Sequence, residues 1–125
     1  MRHRAMFIYK KSLEDFCDWF RNELTSIDLH PDVTLRKNKY DIEITVNSRE
    51  KEFSYSIFKN PSIDDGFCLY VKPKLKFIPA LLRKKDYIRE LATKHAHSIL
   101  SNSDKIIELG WYLETQVWRG PTDAP

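Results

Sequence analysis

Glycine is scarce in this chain, with Gly66, Gly110 and Gly120 the only three in 125 residues. A backbone cradle for a nucleotide phosphate needs several glycines close together so that N–H groups can converge on the anion, and no stretch here supplies them. The chain also has no Gly-x-Ser-x-Gly turn to present a serine nucleophile and no Cys-x-x-Cys pair. Cysteine occurs only at Cys17 and Cys68. Small secreted domains stapled by disulfides carry more. Both cysteines sit in apolar runs (Phe16-Cys17-Asp18-Trp19-Phe20 and Phe67-Cys68-Leu69-Tyr70), so two buried free thiols are expected. Long hydrophobic runs are missing as well. No segment reaches the roughly 18–20 apolar residues of a membrane-spanning helix. The apolar stretch before Lys10 and Lys11 is too short for a secretory signal core. A cytoplasmic location is therefore the expectation.

Against these absences, 42% of the residues are hydrophobic and 13% aromatic, enough for one packed core at the usual size of one domain. Residues 5–10 read as a short strand. Ser12-Leu13-Glu14-Asp15 has the form of a capping box. Leu13, Phe16, Cys17, Phe20 and Leu24 then recur on one helical face, so a first helix is expected over about 12–26. His30-Pro31-Asp32 interrupts the chain. Residues 33–36 are read as the first arm of a hairpin turning at Lys37-Asn38. Tyr40, Ile42, Ile44 and Val46 alternate with Asp41, Glu43 and Thr45; Phe53, Tyr55 and Ile57 alternate next, and Phe67, Leu69 and Val71 after the turn-forming Pro61–Gly66. Short connections between such runs imply an antiparallel meander. Ile88, Leu91, Ala92, His95, Ala96, Ile99 and Leu100 give a second helix over about 84–101, with Asp86 as its cap, ended by Ser101-Asn102-Ser103-Asp104. Residues 105–119 fit both periods; the aromatics and Gly110 favour a strand. Residues 121–125 read as a frayed tail. The expected fold is a single α+β domain spanning 1–125, an antiparallel sheet of four to five strands with two helices packed on one face in the order β-α-β-β-β-α-β. Strand 40–46 is expected at its centre, with Asp41, Glu43 and Thr45 on the exposed face.

Few residues gather into a recognisable catalytic or metal pattern. His95 and His97 are two apart, which on a helix turns their rings about 200° from each other, so they cannot share a metal. His95 falls on the apolar face and is expected as a hydrogen-bonded core residue; His97 is expected at the surface. Asp41 and Glu43 share a strand face, as in metal-dependent nucleases. That chemistry also needs an acid two residues before a lysine on a strand, and no lysine in the chain has one. No catalytic residue, metal ligand or cofactor is therefore assigned.

Charge is segregated instead. Residues 12–32 hold Glu14, Asp15, Asp18, Glu23, Asp28 and Asp32 against Arg21 alone, while 72–89 hold Lys72, Lys74, Lys76, Arg83, Lys84, Lys85 and Arg89 against Asp86. Acids in a first helical turn answer the helix dipole, which accounts for Glu14 and Asp15 and less easily for Asp18, Glu23, Asp28 and Asp32. Blocks of this kind steer charged partners. The leading expectation is a non-catalytic protein-binding module, such as an inhibitor or immunity factor covering a basic toxin or nuclease, with Asp15, Asp18, Trp19 and Glu23 at the contact and Trp19 as an exposed anchor. In size and style the chain is similar to bacterial toxin-immunity proteins, a likeness that covers no motif and transfers no residues. The alternative is a nucleic-acid-binding module using Lys72, Lys74, Lys76, Lys84 and Lys85. A small enzyme with a scattered site is the third reading.

Overall fold

The computed structural model of the chain describes residues 3–27, 31–48, 51–73, 82–113 and 116–118. Asp28, His30, Lys74, Lys76 and the tail 121–125 lie outside the described residues, as do the side chains of Lys84, Lys85 and Asp86. Strand β1 (His3–Ile8) leads to helix α1 (Leu13–Thr25). Four strands follow: β2 (Asp32–Lys37), β3 (Ile42–Ser48), β4 (Lys51–Asn60) and β5 (Gly66–Pro73). Helix α2 (Leu82–Ser101) and the hairpin β6 (Ile107–Leu113) and β7 (Gln116–Trp118) complete the described chain. The strands form one antiparallel sheet in the order β2-β3-β4-β5-β1-β6-β7.

The expected α+β architecture holds and its order roughly fits, but the sheet has seven strands rather than four to five, because arm 33–36 is a full strand, β2, and the ambiguous segment 105–119 contributes two, β6 and β7. Strand 40–46 is not central, however. As β3 it lies next to the β2 edge, because β1 inserts between β5 and β6 and shifts the middle of the sheet to β5. Tyr40 is not part of the alternation either. The Asn38 N–H donates to the Asp41 carbonyl at 2.9 Å, which places Lys39 and Tyr40 at the hairpin tip, where Tyr40 is 80% exposed. Asp86 does not cap α2, since the helix begins four residues earlier at Leu82.

The first helix starts where the sequence suggests. Ser12 is extended, and its Oγ accepts the Asp15 N–H at 3.1 Å, satisfying one of the free donors of the first turn. Phe16, Cys17, Phe20 and Leu24 are fully buried and hold α1 against β2, β3 and β4, while α2 packs on β4 and β5 and touches α1. Both helices therefore cover one face, built from Ala5, Phe7, Ile42, Ile44, Val46, Phe53, Tyr55, Ile57, Phe67, Leu69 and Val71. Phe16 sits at the centre of this layer, its ring 5.0 Å from Phe7, 5.3 Å from Tyr9 and 5.5 Å from both Phe20 and Phe67. Tyr55, also fully buried, donates its hydroxyl to the Ala92 carbonyl and so ties β4 to α2. Gly66 closes the turn before β5, where a Cβ would stand 2.9 Å from both Cβ and the carbonyl oxygen of Ile63.

Candidate functional site

The face opposite the helices carries a row of polar side chains that is largely self-paired. Cross-strand neighbours run Arg36, Glu43, Ser56, Tyr70, Arg4, Tyr112 across six strands. Arg36 pairs with Glu43 at 3.5 Å. The Arg4 guanidinium lies between the rings of Tyr70 and Tyr112, 5.8 and 5.4 Å from their centroids, an arrangement that stabilises a cation against the negative ring faces. Ser56 donates its hydroxyl to Asp41, and Asn38 donates its amide to the same carboxylate. The Ser56 bond is the main reason the Asp41 carboxyl titrates below its ordinary range; burial opposes it, and Asn38, Lys72 and Arg36 add to it. Asp41, Glu43 and Thr45 thus occupy the expected face, half-buried in a cross-strand network.

The sheet also separates groups that a shared catalytic site would need together. His95 is half-buried and stacks on Phe53 beneath α2, while Asp41 is on the opposite face. His97 is not a surface residue. It is half-buried, and its Nδ1 accepts the Trp111 indole N–H at 3.1 Å, with burial pulling its pKa below the ordinary histidine value. His3 is buried beneath α2. The Thr93 hydroxyl donates to the Arg89 carbonyl, so the 2.7 Å contact between His3 Nδ1 and Thr93 Oγ1 makes the histidine the donor. Cys17 faces the core from α1, whereas Cys68 is on the other side of the sheet beside Met6 and Phe58. Both are free and buried. Burial, with Asp18 and Glu14 nearby, pushes the Cys17 thiol up to about 12, so it is a neutral packing group at neutral pH. Among the described residues no group of three or more His, Cys, Asp or Glu could hold a metal ion, and no helix is long and apolar enough to cross a membrane.

One concavity joins the two helices. It measures about 420 Å³ and is lined by Trp19 from the middle of α1, by Glu23, Ser26 and Ile27 at the end of that helix, and by Ser98, Ile99, Asn102, Ser103 and Asp104 at the end of α2. Its lining is mostly polar, with Trp19, Ile27 and Ile99, half-buried against the core, as its apolar part. Trp19 is therefore no protruding anchor. It stacks on the buried Tyr9 at 6.4 Å and offers only part of its ring. Asp15 stands four residues before Trp19 and Glu23 four after, one stripe along the helix, with Asp18 beside it. All three acids are exposed.

Four sources of negative potential converge on this groove. Both helices end at it, and each C-terminus carries a partial negative charge. Neither helix has a basic residue in its last turn to offset that charge. Glu23 and Asp104 add two carboxylates at the rim, and among the described residues neither is in an ion pair. Of the residues singled out from sequence, the fold brings Trp19 and Glu23 into the groove and leaves Asp15 and Asp18 on the adjoining flank. Ile27, Ile99 and Asp104 were missed: Ser101-Asn102-Ser103-Asp104 reads only as a helix terminator until α2 is seen to stop beside α1. Of the alternative nucleic-acid set, Lys72 is exposed on the opposite sheet face, across from Ser54. Lys84 and Lys85 belong to the first turn of α2.

Comparison with family models, with curated proteins and with solved structures finds no match to this chain.

Proposed function

We propose that the chain is a protein-binding module whose groove between the ends of α1 and α2 takes a basic, amphipathic segment of a partner protein. The observation that carries this reading is the convergence of two helix C-termini, Glu23 and Asp104 around the half-buried Trp19, Ile27 and Ile99, with no basic side chain in either last turn. A lysine or arginine lays its aliphatic stem along apolar surface while its charged head stays at the polar rim, and the exposed part of Trp19 offers a ring face for a guanidinium. Asp15 and Asp18, exposed on the adjoining flank, extend the field and speed the approach of a positively charged partner. The reading is compatible with an inhibitor or immunity factor that covers a basic toxin or nuclease.

The test uses an array of peptides that place Arg or Lys beside an aliphatic residue, with acidic and neutral peptides of the same length as controls. Backbone amide shifts in the wild-type protein should move around Trp19, Ile27, Ile99 and Asp104 with the basic peptides only. The D18K/E23K variant should lose this response while keeping its fold. Equal response to acidic and basic peptides, or binding that survives the charge reversal, would sink the proposal. The nucleic-acid alternative rests on Lys72 alone among the described side chains of its set and is the weaker reading; salt-sensitive retention on single- or double-stranded DNA would favour it.

A further inference from the structure

The edge strand β2 carries the makings of a second interface, separate from the groove. Among the described residues it pairs only with β3, in an unbroken six-residue register from Asp32–Asn47 to Lys37–Ile42. The Asn38 N–H bond to the Asp41 carbonyl fixes which way its backbone groups point. Those of Asn38 face β3, so by the alternation of an antiparallel ladder those of Arg36, Thr34 and Asp32 do too, and those of Val33, Leu35 and Lys37 point outward. Edge strands commonly discourage pairing with like charges, bulges or a short, twisted run. β2 has no bulge, and its charges have opposite signs at positions that can meet.

We infer that β2 pairs antiparallel with β2 of a second copy of this chain, about a two-fold axis through Thr34, joining the two sheets into one. In that register Asp32 of each copy lies opposite the second copy's Arg36, so two opposite-charge pairs form on the polar face. Val33 lies opposite the second copy's Leu35 on the helix-covered face, extending the core. Val33 and Leu35 are also the residues whose backbone groups point outward, so they exchange N–H···O=C bonds across the axis. Pro31, which has no N–H, falls opposite Lys37 and needs to supply only its carbonyl. Moving the axis to Val33 or Leu35 removes both charge pairs, so charge selects the register. Asp32, Thr34 and Arg36 are exposed, and the Arg36 side chain is 70% exposed even with Glu43 beside it. It can therefore bridge Glu43 and the second copy's Asp32. The groove lies on the α2 side of α1, away from β2, so the dimer would display two grooves.

The register has a diagnostic that folding defects cannot imitate. D32R sets two guanidinium groups face to face at each charge pair of a self-paired dimer, and R36D sets two carboxylates together. Each variant should therefore raise the dimer dissociation constant at least about tenfold. Mixed in equal amounts, the two variants restore both attractive pairs and should form a heterodimer. Sedimentation of wild type, each variant and the mixture over a concentration series reads this directly, with circular dichroism confirming that each variant is folded. In addition, Thr34→Cys should oxidise to a disulfide-linked dimer, because directly opposed residues that do not exchange backbone bonds lie within disulfide reach. Lys37→Cys, equally exposed but far from its own copy across the axis, should not. Wild type that stays monomeric at every concentration, a mixture that associates no more than its components, or equal cross-linking of both cysteine variants overturns the inference.

Discussion

Phe16→Ala tests how α1 holds its acidic flank in place. The ring is fully buried, and besides its neighbours at 5.0 to 5.5 Å it lies 5.8 Å from Trp19. Truncation removes the transfer free energy of a whole aromatic ring and leaves a void walled by other rings, which cannot collapse without rotating off their contacts. Substitutions of this kind cost about 3–5 kcal/mol, a large share of the roughly 5–15 kcal/mol that holds a domain folded. With an unfolding entropy of about 2.1 cal/mol/K per residue, a loss of about 4 kcal/mol should lower Tm by about 15 °C. Urea unfolding followed by circular dichroism should show a lower midpoint at unchanged slope. D18K/E23K, on the exposed flank of the same helix, should stay within about 0.5 kcal/mol of wild type. A Phe16→Ala cost below about 1.5 kcal/mol would mean the ring is not the packing centre of the helix. A D18K/E23K cost matching it would mean that binding and stability cannot be separated on α1.

Two further outcomes rest on single polar contacts. His97 is pulled below its ordinary pKa of 6.5, so the folded protein favours the neutral ring that accepts from Trp111. The unfolded chain binds this proton more readily, so the contribution is fully present above about pH 6.5 and is lost as pH falls through the lower folded value. His97→Gln keeps an acceptor without a titration and should flatten the slope of stability against pH below 6.5; identical slopes in variant and wild type would refute this. Ser54 is fully buried, and its Oγ has no hydrogen-bond partner among the described residues, so Ser54→Ala should leave stability unchanged or raise it by up to about 1 kcal/mol. A clear drop in the urea midpoint would show that the hydroxyl is satisfied.

Local chemistry made much of the fold legible. The period-two runs at Ile42–Val46, Phe53–Ile57 and Phe67–Val71 need one buried face each, and the Ser12 cap with the Phe16, Cys17, Phe20, Leu24 spacing needs a helix there. Tyr40 misled because an aromatic two residues before Ile42 fits the same alternation. Only the Asn38–Asp41 bond shows that the strand has already turned. Asp86 misled because a capping side chain carries no information about how many turns precede it.

What the sequence determined by itself is therefore most of the elements, the face those bury, and the segregation of acids onto α1, since periodicity, capping and charge are properties of neighbouring residues. The two strands within 105–119 stayed open between helix and strand because both periods fit there. Tertiary structure decided everything that depends on residues far apart in the chain. It inserted β1 beside β5, moved the centre of the sheet away from β3, and put His95 and Asp41 on opposite faces. It also brought the end of α2 against the end of α1, setting Ile99 and Asp104 beside Trp19 and Glu23. No local pattern encodes that meeting, because it depends on how two helices cross one twisted sheet. Yet it is there, where two helix termini without a basic residue in the last turn converge, that an acidic helix becomes a candidate site.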